Sequence, residues 1–120
     1  MKSDFSPVTT PEQLDVILTG SGVLFLHDPF CPISFMANRQ VSNLGGTVHR
    51  LDVSSEHELK RAVEARTGVR HESPQLFVFE QGNLIWSASH MAIRTDAIRT
   101  ARDQAIAVED NAQTPTIAGD

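Results

Sequence analysis

The stretch Gly22-Val23-Leu24-Phe25-Leu26-His27-Asp28-Pro29-Phe30-Cys31-Pro32-Ile33-Ser34 decides how this chain is read. Its apolar run, over residues 22–28, has the length and composition of a buried strand. Beyond Pro29-Phe30, the residues Ile33, Met36, Ala37 and Val41 recur at helical spacing until Gly45-Gly46. A helix therefore begins at or just after Cys31. Pro32 stands in its first turn, where a missing N–H does no harm. The chain's one cysteine lies at this strand-to-helix junction.

Upstream, Phe5 to Thr9 reads as a short edge strand. Thr10-Pro11-Glu12-Gln13 then opens a helix, with Thr10 as N-cap, Pro11 at the first helical position and Gln13 as capping-box partner. Leu14, Ile17 and Leu18 form its apolar face, and Gly20 with Gly22 stops it. Downstream, Thr47 to Val53 alternates as a third strand. Ser55 and Glu58 have the spacing of a second capping box, Leu59, Ala62 and Val63 give that helix its buried face, and Gly68 is its expected C-terminal cap. Leu76-Phe77-Val78-Phe79, the turn Glu80-Gln81-Gly82-Asn83 and Leu84-Ile85-Trp86 form a hairpin signal. Thr95 and Asp96 open a last helix carrying Ile98, Ala101 and Ala105. The order is β-α-β-α-β-α-β-β-α, an α/β chain. Parallel crossovers are expected after each of the first three strands, and a hairpin at the end.

The 120 residues suit one domain, read as 1–108, followed by a polar, unpatterned, disordered C-terminal tail at 109–120. A net charge of −5, without a run of basic residues, argues against nucleic acid and membrane surfaces as partners. No apolar run approaches a membrane span or a signal peptide. A single cysteine excludes an internal disulfide framework and four-cysteine metal sites, so a reducing cytoplasm is the expected compartment.

Cys31 is the candidate catalytic residue. A lone cysteine is more often a small buried hydrophobe. Here Pro29, Pro32 and the junction reverse that reading, because a helix N-terminus favours thiolate, the attacking species in disulfide exchange. Ser34 stands where a Cys-x-x-Cys protein keeps its resolving thiol, so a mixed disulfide at Cys31 has to await an external thiol. Its hydroxyl is expected to cap first-turn backbone groups or to hydrogen-bond the thiolate. Pro74 immediately precedes a strand, a position prolines tolerate.

Of the five histidines, His27, His49, His57, His71 and His90, none shows metal-ligand spacing, and no metal is expected. His27 reads equally as a proton carrier for Cys31 or as a packed strand residue. Arg39, Arg50, Arg70 and Arg94 are each able to recognise a carboxylate on a small thiol, though a solvated surface role is the commoner fate of any one of them.

Three blocks in order, Phe25-Leu26-His27 with Cys31-Pro32-Ile33-Ser34, then His71-Glu72-Ser73-Pro74-Gln75, then Trp86-Ser87-Ala88-Ser89-His90, make the chain resemble the monothiol bacilliredoxins of the YtxJ type from about Pro11 to Arg99. The resemblance implies a thioredoxin-like fold: a mixed five-stranded sheet in the order 1-3-2-4-5, flanked by four helices. It also implies that Ser73-Pro74 is a cis-proline loop facing Cys31, with Pro32, Ser34, Ser73 and Pro74 as the substrate-binding residues. No bound cofactor is implied, and bacillithiol, a low-molecular-weight thiol, is the co-substrate. Cys31 would take bacillithiol from bacillithiolated proteins, and a second bacillithiol, a reductase or a partner redoxin would then free it. Two other readings of the residues stay open: a non-catalytic thioredoxin-fold adaptor, and a peroxide sensor in which Cys31 accumulates sulfenic acid.

Overall fold

Strands and helices alternate as β1 (Ser3–Pro7), α1 (Pro11–Leu18), β2 (Gly22–His27), α2 (Pro32–Ser42), β3 (Gly46–Asp52), α3 (His57–Thr67), β4 (Gln75–Glu80), β5 (Asn83–Ser89), a 3-10 turn (His90–Ala92) and α4 (Thr95–Gln113). The structure, a computed structural model, describes residues 2–113, and side chains within residues 2–104. The last helix passes residue 108, where the sequence reading ended the domain. Residues 114–120 of the expected tail lie outside the described residues.

The five strands form one sheet in the order β1-β3-β2-β4-β5. β1 and β2 both run parallel to β3, as their helical crossovers require. The third crossover departs from the sequence expectation. β4 returns to the free edge of β2 and runs antiparallel to it, with Leu26 beside Gln75 and Gly22 beside Phe79. A helix can connect strands of either sense, so its presence after β3 did not determine the direction of β4.

Each face of the sheet is covered, which explains why β2 reads as a continuous apolar run. The two-residue period of the strand sends Leu24 and Leu26 to the layer holding Leu14, Ile17, Leu59 and Val63 of α1 and α3. It sends Val23 and Phe25 to the layer holding Ala37 and Val41 of α2 and Ile98 of α4. Leu24, Phe25 and Phe77 are fully buried. Such a side chain contributes on the order of 1.5–3 kcal/mol relative to exposure.

Local signals fixed some boundaries and missed others. Thr10 forms the expected capping box, its hydroxyl accepting the Gln13 N–H while Gln13 Oε1 accepts the Thr10 N–H, both at 3.2 Å. Gly68 ends α3 at φ 73°, a left-handed conformation that favours glycine. The Ser55–Glu58 box does not form, because α3 begins later, with Glu56 at its N-cap. Asp52 organises the turn instead: its Oδ1 accepts from the Ser54 N–H at 2.9 Å and its carbonyl from the Glu56 N–H at 2.9 Å. In α2 the inward face is also rotated from expectation. Ser34, Ala37 and Val41 are buried, whereas Ile33 and Met36 are largely exposed.

Candidate active site

Cys31 is the N-cap of α2, in extended backbone conformation and partly exposed. The turn that delivers it is held by Asp28, whose carboxylate accepts the Phe30 N–H at 2.9 Å and whose carbonyl accepts the Cys31 N–H at 3.1 Å. The Cys31 carbonyl then accepts the Phe35 N–H at 3.0 Å and starts the helix. Phe30, just before the cysteine, is 84% exposed. The Cys31 sulfur therefore sits at the N-terminal end of α2, beside a solvent-facing aromatic ring.

Behind it lies a pairing that no spacing rule flagged. Ser34 is fully buried. Its Oγ accepts the Asp28 N–H at 2.9 Å and lies 2.8 Å from His27 Nδ1. Burial holds the His27 imidazole below the ordinary histidine value of 6.5, and Arg50 pushes the same way against Asp52 and Asp28. With the ring proton on Nε2, Nδ1 accepts and the Ser34 hydroxyl donates to it while accepting from Asp28; with the proton on Nδ1, the hydroxyl oxygen accepts from both. The hydroxyl thus pins the first turn of α2 to the end of β2. His27 also stacks on Phe25, with ring centroids 5.3 Å apart.

The loop before β4 supplies the second wall. Gln75, 2% exposed, ties it down from inside: its amide nitrogen donates to the Arg70 carbonyl at 3.0 Å and its oxygen accepts the Glu72 N–H at 3.3 Å. The Ser73–Pro74 peptide bond is cis. Because Leu26 registers with Gln75, Pro74 falls beside the end of β2, from which the Cys31 turn departs. The Pro74 carbonyl accepts the His90 N–H at 3.0 Å, and His90 Nε2 lies 3.6 Å from Glu72. His90 holds φ 54°, uncommon for a residue with a side chain. Ser73 Oγ and His71 Nδ1 are buried and find no hydrogen-bond partner among the described residues.

A family model for monothiol bacilliredoxin BrxC matches residues 6–98. The chain belongs to the monothiol bacilliredoxin family. Among solved structures, a candidate oxidoreductase with a thioredoxin fold is similar at 26% identity and TM-score 0.75, over 81% of this chain and 92% of that one. A mutant thioredoxin from Halobacterium salinarum NRC-1 is similar at 18% identity and TM-score 0.68, over 85% and 90% of the two chains. Thioredoxin from Malassezia sympodialis is similar at 16% identity and TM-score 0.65, over 88% and 92%. The last two bear on the fold alone. Family and fold together support a thiol redox function.

Against that bacilliredoxin frame, the residues expected at the site divide. Cys31 and Pro32 share the α2 N-terminus with the Ser73–Pro74 loop opposite, Pro32 exposed and Pro74 buried. Ser34 needs correction. A side chain with no exposed surface cannot bind substrate directly, and its hydroxyl is taken up by His27 and Asp28 rather than by first-turn backbone groups. His57 bonds the Ser54 carbonyl, and Arg50 bonds Asn38 while lying over the Phe5 ring. Sequence reasoning missed Gln75 and the Glu72–His90 contact. The only available signal for either was the position of these polar residues beside Pro74 and the last strand. Among the described residues no three His, Cys, Asp or Glu side chains cluster as a metal set, and no helix is long and apolar enough to cross a membrane.

The His27 arrangement has a measurable consequence. In the unfolded chain His27 takes up its proton as pH falls through about 6.5, and in the folded protein only at lower pH. Stability carried by the neutral ring is therefore complete above that value and is lost as pH falls toward the folded pKa. His49 and His71, both lowered chiefly by burial, act with the same sign. Urea midpoints should fall between about pH 7 and about pH 5, and less steeply in His27→Gln. Equal slopes in the two proteins would remove His27 from this account.

Proposed function

We propose that the protein is a monothiol disulfide oxidoreductase that removes bacillithiol from protein mixed disulfides through Cys31, working in a reducing cytoplasm. The observation that carries this reading is a lone, partly exposed cysteine at the N-cap of α2, beside the Ser73–Pro74 loop, with serine at the resolving position. In the first step the Cys31 thiolate attacks the bacillithiol sulfur of the mixed disulfide. A new disulfide forms between Cys31 and bacillithiol, the old one breaks, and the target leaves as a thiolate. Ser34 cannot displace the adduct. A second bacillithiol thiolate attacks the bacillithiol sulfur of the adduct, giving bacillithiol disulfide and free Cys31, or the thiolate of a partner redoxin attacks the same sulfur, taking bacillithiol as its own mixed disulfide and freeing Cys31.

Intact-mass measurement after mixing the reduced protein with a bacillithiolated substrate tests the reading. Gain of one bacillithiol, mapped to Cys31 and matched by release of reduced substrate, is the expected outcome. Absence of any adduct, with substrate unchanged, would turn the argument to the adaptor reading. The exposed Phe30, Phe35 and Met91 side chains are the observation that favours that alternative.

A further inference from the structure

A cleft of about 70 Å³ opens between α2 and the segment that follows β5. Its walls include Met36 and Met91, 50% and 61% exposed, and its polar groups are Gln40, His90 and Arg94. We propose that this cleft is the subsite for the carboxylate-bearing arm of the thiol co-substrate, with Arg94 as its principal anchor; this rests on the exchange reading above.

Position connects the cleft to the sulfur. Met36 and Gln40 follow Cys31 on one helix, so at about 1.5 Å per residue they lie roughly 8–14 Å along its axis from the N-cap. His90, on the opposite wall, is bonded through its N–H to Pro74. Through α2 and the His90–Pro74 bond, the two walls of the cleft run back to Cys31 and to the Ser73–Pro74 loop. A thiol whose carboxylate lies about 10 Å from its sulfur spans from Cys31 to the cleft, whereas free cysteine is too short. The cleft volume is room enough for a carboxylate.

The donors point to an anion. Gln40 Oε1 accepts the Thr95 N–H at 2.9 Å, while the Thr95 hydroxyl donates to the Gln40 carbonyl at 2.6 Å, which leaves the two donors of the Gln40 amide nitrogen for another acceptor. Arg94 contacts Asp96 only through Nε, at 3.5 Å, and both side chains are well exposed. His90 meets Glu72 at 3.6 Å. These contacts exceed the 2.7–2.9 Å of a strong charge-assisted bond, and exposed pairs of this kind contribute little. A ligand carboxylate gripped by the remaining fork of the guanidinium competes well with them. The α4 N-terminus itself offers little, since the Thr95 and Ala97 N–H groups are already bonded to Gln40 and Asp96. Of the four arginines considered from sequence, Arg94 is the one that lines this cleft.

The test compares the second-order rate constant for single-turnover loss of the Cys31 thiol in the full chain with three small disulfides: bacillithiol disulfide, which carries carboxylates, neutral 2-hydroxyethyl disulfide and cationic cystamine. The wild type should prefer the carboxylate-bearing disulfide to the neutral one, and cystamine least. Arg94→Ala should lower that first ratio about tenfold, with Arg94→Lys intermediate. If the wild type exchanges with all three equally, or if Arg94→Ala lowers all three together, the subsite is wrong and the exchange reading stands. If the wild type exchanges with none, both fall.

Discussion

Cys31→Ser will bring exchange with a bacillithiolated substrate down to the uncatalysed background, a loss of at least on the order of a thousandfold. A serine hydroxyl is a poor nucleophile at neutral pH and cannot form a disulfide, while every step of the proposed cycle makes or breaks a bond to the Cys31 sulfur. The fold should survive. Cys31 is partly exposed, no side-chain hydrogen bond caps the helix through it, and the backbone bonds to Asp28 and Phe35 that fix the turn do not depend on the side chain. The measurement is stopped-time intact mass for exchange alongside a urea melt for stability. Exchange that persists in a well-folded serine variant would place the chemistry elsewhere.

Ser34 should have the next largest effect, in two ways. Ser34→Ala strands the part-buried Asp28 N–H and His27 Nδ1 against a fully buried position. Leaving a buried polar group unsatisfied costs about 1–3 kcal/mol, so the melting temperature should fall by several degrees. Ser34→Cys should instead create an oxidisable pair. An N-cap side chain reaches toward the third residue of its helix, so residues 31 and 34 share the first turn. Mild oxidation should then remove both free thiols with the loss of two hydrogens and no gain of dimer. A variant that keeps both thiols under those conditions would show that the two side chains do not converge.

Both predictions depend on a part of the site that was only half legible in the sequence. The junction was readable, since an apolar strand-length run, Pro29, Pro32 and a helical apolar repeat all lie within one short stretch. The burial of Ser34 was not. Periodicity assigns apolar residues to a core face, and it assigned Ile33 and Met36 there. The phase that the helix adopts places polar Ser34 inward instead, because His27 and Asp28 at the end of β2 satisfy its hydroxyl. The Asp52 turn before α3 is a second case. Ser55 and Glu58 satisfied a capping rule by spacing, yet the carboxylate and carbonyl at the end of β3 took the available N–H groups. The identical order of elements, the Thr10 capping box and the Gly68 cap were legible because each is settled within a few residues of chain.

By itself, then, the sequence determined the succession of strands and helices, the location of the single thiol at a helix start and the absence of a resolving cysteine beside it. These follow from local sterics, hydrophobic period and residue identity. Tertiary structure decided the direction of β4, the approach of Ser73–Pro74 to the end of β2, the anchoring of His90 on Pro74 and the selection of Arg94 over the other arginines as the cation of the cleft. Each of these depends on contacts between segments far apart in the chain. Such contacts are set by which sheet edge is free and how the helices pack over it, and no short window of residues contains that information.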